Sequence, residues 1–197
     1  DGKPLAQLRR GSRVGTSSLR RASQILRLRP DLQIAHIRGN VDTRLRKLRA
    51  EGGDYDAIVL ARAGVERLGL GSEVTEIFTS EQMLPAPGQG ALAIECRSSD
   101  VELLSMLSKL HDPDTALTVG AERAFLAGLD AGCNTPVGAL ATIERPKDGD
   151  LLRFRGRCLS NDGSRVIETV GESALDEGLR LGQRMADESR ARGFAEL

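Results

Sequence analysis

Aromatic residues are scarce: tryptophan is absent, and one Tyr and four Phe are spread over 197 residues. Proteins that hold single-stranded nucleic acid stack its bases on aromatic rings, so that class is disfavoured from the start. Cysteine is scarce too. Cys96, Cys133 and Cys158 lie far apart without C-x-x-C spacing, which leaves no disulfide framework and no zinc pattern and points to a reducing, cytoplasmic compartment. His36 and His111 are too distant in sequence to suggest a metal pair, so no metal is expected. No apolar run approaches the roughly 18 residues of a membrane span, and no membrane partner is expected. The opening Asp1-Gly2-Lys3-Pro4 has neither the apolar core of a signal peptide nor an initiator Met, so the chain is expected to begin mid-protein. G-x-G-x-x-G and P-loop motifs are also missing, which leaves nucleotide binding without motif support.

Net charge is absent as well, with 28 Lys+Arg against 28 Asp+Glu, but the balance is uneven along the chain. Residues 1–50 hold 13 Lys+Arg against 3 Asp+Glu, and the remaining 147 hold 15 against 25. A basic end on a neutral protein suggests either a local anion site or a solvated basic face.

The hydrophobic pattern predicts an α/β arrangement first. Ser12–Gly15, Leu32–Ile37 and Tyr55–Ala61 read as strands, and Ser17–Leu28, Val41–Ala50 and Ala63–Leu68 as the helices that follow them. Three alternations in 60 residues argue for a parallel sheet. A Pro/Gly-rich stretch, Leu84–Gly90, reads as a hinge. Beyond it Ala91–Cys96 is predicted as a strand, and Val101–Leu110 and Thr115–Leu129 as helices. The pattern then turns to β, with strands at Val137–Glu144, Leu151–Leu159 and Arg165–Val170. Asp162-Gly163 signals a hairpin between the last two. An amphipathic helix, Ala174–Arg192, closes the chain. The expected division is an α/β domain over 1–87, a hinge and returning segment over 88–112, and an α+β domain over 113–197.

In parallel α/β sheets, ligands gather where strands run into helix N-termini, and free N–H groups there favour anions. Thr16, Ser17 and Ser18 follow the first predicted strand, and Arg20 and Arg21 stand in the first turn after them. Arg38 leaves the second strand and Arg44 begins the second helix. Arg62 and Arg67 follow the third. A cation at a helix N-terminus opposes the helix dipole, so helix stability does not explain these residues; an anion held between them would. The guanidinium fork suits carboxylates in particular. Cys96 and Cys158, in predicted strands, read as small core residues. Cys133, in the loop Gly132-Cys133-Asn134-Thr135-Pro136, is either an exposed thiol able to anchor a ligand or an ordinary loop residue.

The runs GTSSLRR (15–21), IRGNVDTRL (37–45), YDAIVLARAGVERLGL (55–70), PGQGAL (87–92), AERAFL (121–126) and GCNTPVG (132–138) occur in register. Together they resemble hydroxymethylbilane synthase, also called porphobilinogen deaminase. The resemblance implies a parallel-sheet domain of periplasmic-binding-protein type followed by a small α+β domain with an antiparallel sheet. It implies a transferase of tetrapyrrole synthesis that condenses four porphobilinogen units head to tail with loss of ammonia, and then frees the linear chain by hydrolysis. A dipyrromethane cofactor joined to Cys133 by a thioether would prime the growing pyrrole chain. Each pyrrole bears an acetate and a propionate, for which Arg20, Arg21, Arg38, Arg44 and Arg67 are the implied partners. Thr16, Ser17 and Ser18 would assist, with Asn40 and Gln89 as further contacts. The family's acidic catalytic residue lies in a first domain that nothing before Asp1 supplies, so no catalytic residue is expected in this chain. A separate polypeptide is one expected source of that domain, and the chain alone is expected to be nearly inactive. The competing expectations are a non-catalytic carboxylate- or anion-binding module and a nucleic-acid binder using the basic segment.

Overall fold

The computed structural model describes residues 2–132, 135–147 and 149–197. Chain alternation gives β1 (Arg13–Gly15), α1 (Leu19–Leu28), β2 (Gln33–Ala35), α2 (Val41–Arg49), β3 (Ala57–Ile58) and α3 (Arg62–Arg67). The strands are parallel in the order β2-β1-β3, with Gly15 aligned to Ala35 on one side and Ile58 on the other. All three carboxyl ends therefore open along one edge. Leu5, Val14, Ile25 and Leu32 are buried between the sheet and α1, with Phe78 and Met83 packed against them.

Helix starts follow the capping residues. Ser18 Oγ accepts from the Arg21 N–H at 3.4 Å, and Asn40 Oδ1 accepts from the Thr43 N–H at 2.9 Å. Each satisfies a donor that the first helical turn leaves free. Gly39, just before α2, sits at φ 120°, where a side chain is strained, and a Cβ there would stand 2.6 Å from Thr43 Cγ2. β3 is shorter than the apolar run Tyr55–Ala61 predicts. It lies at the sheet edge and pairs only with the three-residue β1, so the ladder ends where β1 ends.

The prediction of a strand at Ala91–Cys96 is incorrect. This stretch has no ladder partner among the described residues, and Leu92 and Ile94 are 88% and 61% exposed. Alternating apolar residues form a strand only where a neighbouring strand takes their backbone groups. Cys96 is accordingly half-buried outside any strand rather than a core residue. Downstream comes α4 (Val101–Leu107), extended by a 3-10 turn over Ser108–Leu110.

The C-terminal part is built from α5 (Pro113–Gly128), β4 (Val137–Glu144), β5 (Leu151–Leu159), β6 (Val166–Ala174) and α6 (Gly178–Ala191). Asp112 caps α5 by accepting from the Thr115 N–H at 2.7 Å, and Pro113 takes the first helical position, where no donor is missed. The sheet is antiparallel, β4-β5-β6. β6 runs to Ala174 opposite Leu151, which delays α6 to Gly178, four residues later than the periodicity predicts. Helices α5 and α6 cover one sheet face. Phe125 meets Phe154 with ring centroids 5.1 Å apart, among Leu152, Cys158, Leu181 and Met185. Cys158 is buried in β5, as predicted, and burial pushes its thiol up to about 12, which makes it inert.

Two seams join the parts. The segment Leu84–Gln89 lies against β4, where the Ala139 N–H donates to the Pro85 carbonyl at 3.0 Å. The β5–β6 tip seats on α1: Ser23 Oγ donates to the Asn161 carbonyl at 3.1 Å. Gly163, at φ 71°, lies so close to the Ser23 carbonyl and the Arg27 N–H that no side chain fits.

Candidate functional site

The carboxyl edge of the parallel sheet is occupied by the turn after β1. Thr16 is buried there, and its Oγ1 accepts from the Ser18 N–H at 3.2 Å. Ser17 Oγ donates to the Ile37 carbonyl at 2.7 Å, tying this turn to the one after β2. The predicted hydroxyls thus shape the turn and cap its helix, and Asn40 does the same for α2.

The arginines behave differently. Arg20 turns inward from the first turn of α1 and is 7% exposed. Its Nη1 donates to the Leu84 carbonyl at 2.5 Å and its Nη2 to Gln89 Oε1 at 2.9 Å. Burial, then the positive charge of Arg21, pushes its pKa down to about 10, far enough above neutrality that it stays charged. Half-buried Arg21 donates to the Val59 carbonyl at 3.2 Å; burial lowers its pKa, and the charge of Arg44 lowers it further. Arg44, also half-buried, donates through Nε to the Gly39 carbonyl at 2.8 Å. Arg21 therefore feels the charge of Arg44 from the neighbouring helix, and Arg20 that of Arg21.

Ion pairing separates these residues from the other arginines. Six arginines are not exposed: Arg20, Arg21, Arg29, Arg44, Arg155 and Arg157. Arg29 pairs with Asp31 at 2.7 Å, Arg155 with Glu81 at 3.4 Å and Arg157 with Glu168 at 2.7 Å. Among the described residues Arg20, Arg21 and Arg44 have no carboxylate partner, although sheltered charges are ordinarily paired.

A cleft of about 660 Å³ opens beside β3, and Arg20, Arg21, Arg62 and Gln89 reach its wall. Arg62 is already engaged by Glu66 at 2.6 Å. Arg38, Arg44 and Arg67 do not line this cleft, so of the predicted carboxylate partners the structure brings Arg20, Arg21 and Gln89 to it; Arg44 stands beside Arg21, and exposed Arg38 and Arg67 lie apart. Cys133 lies outside the described residues. No group of His, Cys, Asp and Glu suited to a metal occurs among the described residues.

Sequence reasoning missed the polar anchors behind the arginines. Buried Glu122 accepts from the Gly88 N–H at 2.6 Å and the Ala141 N–H at 2.8 Å; burial raises its pKa, and these two donors pull it back. Gln24 and Arg157 clasp the segment before it, Gln82–Leu84. The only signal in the sequence was the i, i+4 spacing of Arg20 and Gln24, which places both on one face of α1.

Two family models match this chain. Residues 1–105 fit "Porphobilinogen deaminase, dipyromethane cofactor binding domain", and residues 116–191 fit "Porphobilinogen deaminase, C-terminal domain". The chain belongs to the porphobilinogen deaminase family. It is 46% identical to the porphobilinogen deaminase of Paenibacillus macerans over 208 residues, covering 98% of this chain and 63% of that protein. With that of Roseiflexus sp. (strain RS-1) it shares 48% over 187 residues, covering 95% of this chain and 59% of the relative. With that of Mycobacterium bovis (strain BCG / Pasteur 1173P2) it shares 48% over 202 residues, covering 100% and 65%. The chain thus spans about three-fifths of the length of these curated relatives. No described helix is long and apolar enough to cross a membrane.

Proposed function

We propose that this chain works as the carboxylate-binding and cofactor-bearing part of a cytoplasmic hydroxymethylbilane synthase. That transferase joins four porphobilinogen units head to tail, releases ammonia at each step, and frees the linear tetrapyrrole by hydrolysis. The observation that carries the reading is the sheltered trio Arg20, Arg21 and Arg44, which has no carboxylate partner among the described residues. Such a donor set fits a dipyrromethane with its acetates and propionates. Each charge-assisted contact to a shielded guanidinium is worth roughly 1.5–3 kcal/mol, so three such residues hold a polycarboxylate firmly.

In this reading Arg20, Arg21 and Arg44 bind and orient the pyrrole carboxylates, with exposed Arg38 and Arg67 as outer contacts. Thr16, Ser17, Ser18 and Asn40 fix the backbone of the turns that carry them. Gln89 sets the Arg20 fork, and Cys133 is the attachment point. Dipyrromethane, when bound, supplies the pyrrole end to which the next unit is joined. No residue of this chain is assigned the proton transfers.

The same reading divides the chain at about 87 and 112. It assigns 88–112 to contact with the family's first domain, supplied as further polypeptide. The exposure of Leu92 (88%), Ile94 (61%) and Val101 (74%) supports this.

Intact-mass spectrometry tests the proposal. After incubation with porphobilinogen and the first-domain polypeptide, an adduct of two pyrroles is expected on the chain and lost in Cys133→Ser. An unmodified thiol together with exchangeable binding of simple carboxylates would instead support a non-catalytic anion-binding module.

A further inference from the structure

Gln24 is 1% exposed, and its amide is saturated. The oxygen accepts from the Leu84 N–H at 2.8 Å and from Arg157 Nη1 at 2.9 Å. The nitrogen donates to the carbonyls of Leu84 and Arg20, both at 3.1 Å. A side-chain amide offers two donors and an oxygen with two lone pairs, so nothing is left over. Leu84 is held through both of its backbone groups, as a strand residue would be. The carbonyl that Gln24 holds is the one that receives Arg20 Nη1 at 2.5 Å. The second Arg20 anchor, Gln89, follows Gly88, whose N–H is fixed by Glu122.

We infer that Gln24 is a positioning residue for Arg20: it fixes the Leu84 carbonyl against which the guanidinium is set. The inference rests on the carboxylate-binding role proposed above. Two of the five guanidinium N–H groups are spent on Leu84 and Gln89, and three remain for a ligand. A fork already held in one orientation loses less freedom when a carboxylate arrives, so its affinity is higher. Arg21, anchored instead on Val59, does not depend on Gln24.

That difference gives the test a readout that a merely structural glutamine would not move. The probe is a free dipyrromethane bearing two acetates and two propionates, titrated calorimetrically into the 197-residue chain and its variants. Gln24→Met is expected to weaken binding about tenfold, the equivalent of one net hydrogen bond. Added to Arg20→Met, it is expected to cost less than about twofold; added to Arg21→Met, the full tenfold or so. Equal losses in both backgrounds would overturn the inference while leaving the site intact. If the wild-type chain ignores the probe, or Arg20→Met and Arg21→Met bind it normally, the site proposal fails and this inference with it. Should Gln24→Met fail to fold by circular dichroism, Gln24→Glu serves for the same cycle. It is isosteric, keeps both accepted hydrogen bonds and loses both donated ones. If neither variant folds, Gln24 is a folding residue and the inference is wrong.

Discussion

Replacing Arg157 with Met tests whether the C-terminal sheet is bolted to the α/β part by one side chain. Arg157 sits in β5 with its side chain 7% exposed. Its Nη1 donates to Gln24 Oε1 at 2.9 Å, its Nη2 to the Glu81 carbonyl at 2.8 Å, and its Nε to Glu168 Oε1 at 2.7 Å. Nη1 also donates to the Gln82 carbonyl at 3.4 Å, and these four acceptors do not lose equally. The Glu168 side chain is 40% exposed and rehydrates when its partner leaves, so this pair is worth under about 1 kcal/mol. The bonds to Gln24 and Glu81 are charge-assisted bonds to neutral acceptors, roughly 1.5–3 kcal/mol each. Met restores the packing of the aliphatic stem and removes the cost of burying a charge, which offsets part of the loss. A net destabilisation of about 3 kcal/mol is expected, or roughly 6–12 °C in Tm for a chain of this size. Urea denaturation followed by far-UV circular dichroism measures it. Arg157→Lys keeps the charge but cannot span four acceptors, so it is expected to lose about half as much, and Glu168→Gln under about 1 kcal/mol. A loss below about 0.5 kcal/mol for Arg157→Met, the range of an ordinary surface change, would refute the argument.

Two further outcomes are expected. Gly39→Ala places a Cβ at φ 120° and 2.6 Å from Thr43 Cγ2. A loss of about 1–3 kcal/mol is expected, read as a shift of the urea midpoint without a change of slope. Asp162 accepts from Ser160 Oγ at 2.6 Å, the Ser164 N–H at 3.1 Å and Ser164 Oγ at 2.9 Å, which draw its pKa from 3.8 down to about 2. Because the folded value is the lower one, this stabilisation is present above pH 3.8 and is lost as pH falls toward 2. Denaturation at several pH values in that window is expected to show a smaller loss for Asp162→Asn than for the wild type.

Much of the fold was legible locally because its signals are local. Ser18, Asn40 and Asp112 stand beside the N–H groups they cap, and Asp162-Gly163 stands inside the turn it makes. The β-rich C-terminal pattern needed only alternation and turn residues. Failures came where an element depends on a distant partner. Ala91–Cys96 has the pattern of a strand but no neighbour to pair with among the described residues, and Tyr55–Ala61 forms a ladder only as long as β1 allows. The site divided in the same way. Residue type and strand-end placement marked the arginines, and the family motifs in register named the chemistry. Neither could distinguish the sheltered Arg20, Arg21 and Arg44 from the exposed Arg38 and Arg67, because exposure depends on what packs over each turn. Nor could they reveal Gln24, Glu122 and Arg157, whose partners lie up to 133 residues away. The sequence by itself determined which charges and turns this protein has. Only the tertiary structure decided which charges go unpaired, because a carboxylate neutralises an arginine by proximity in space, whatever the separation along the chain.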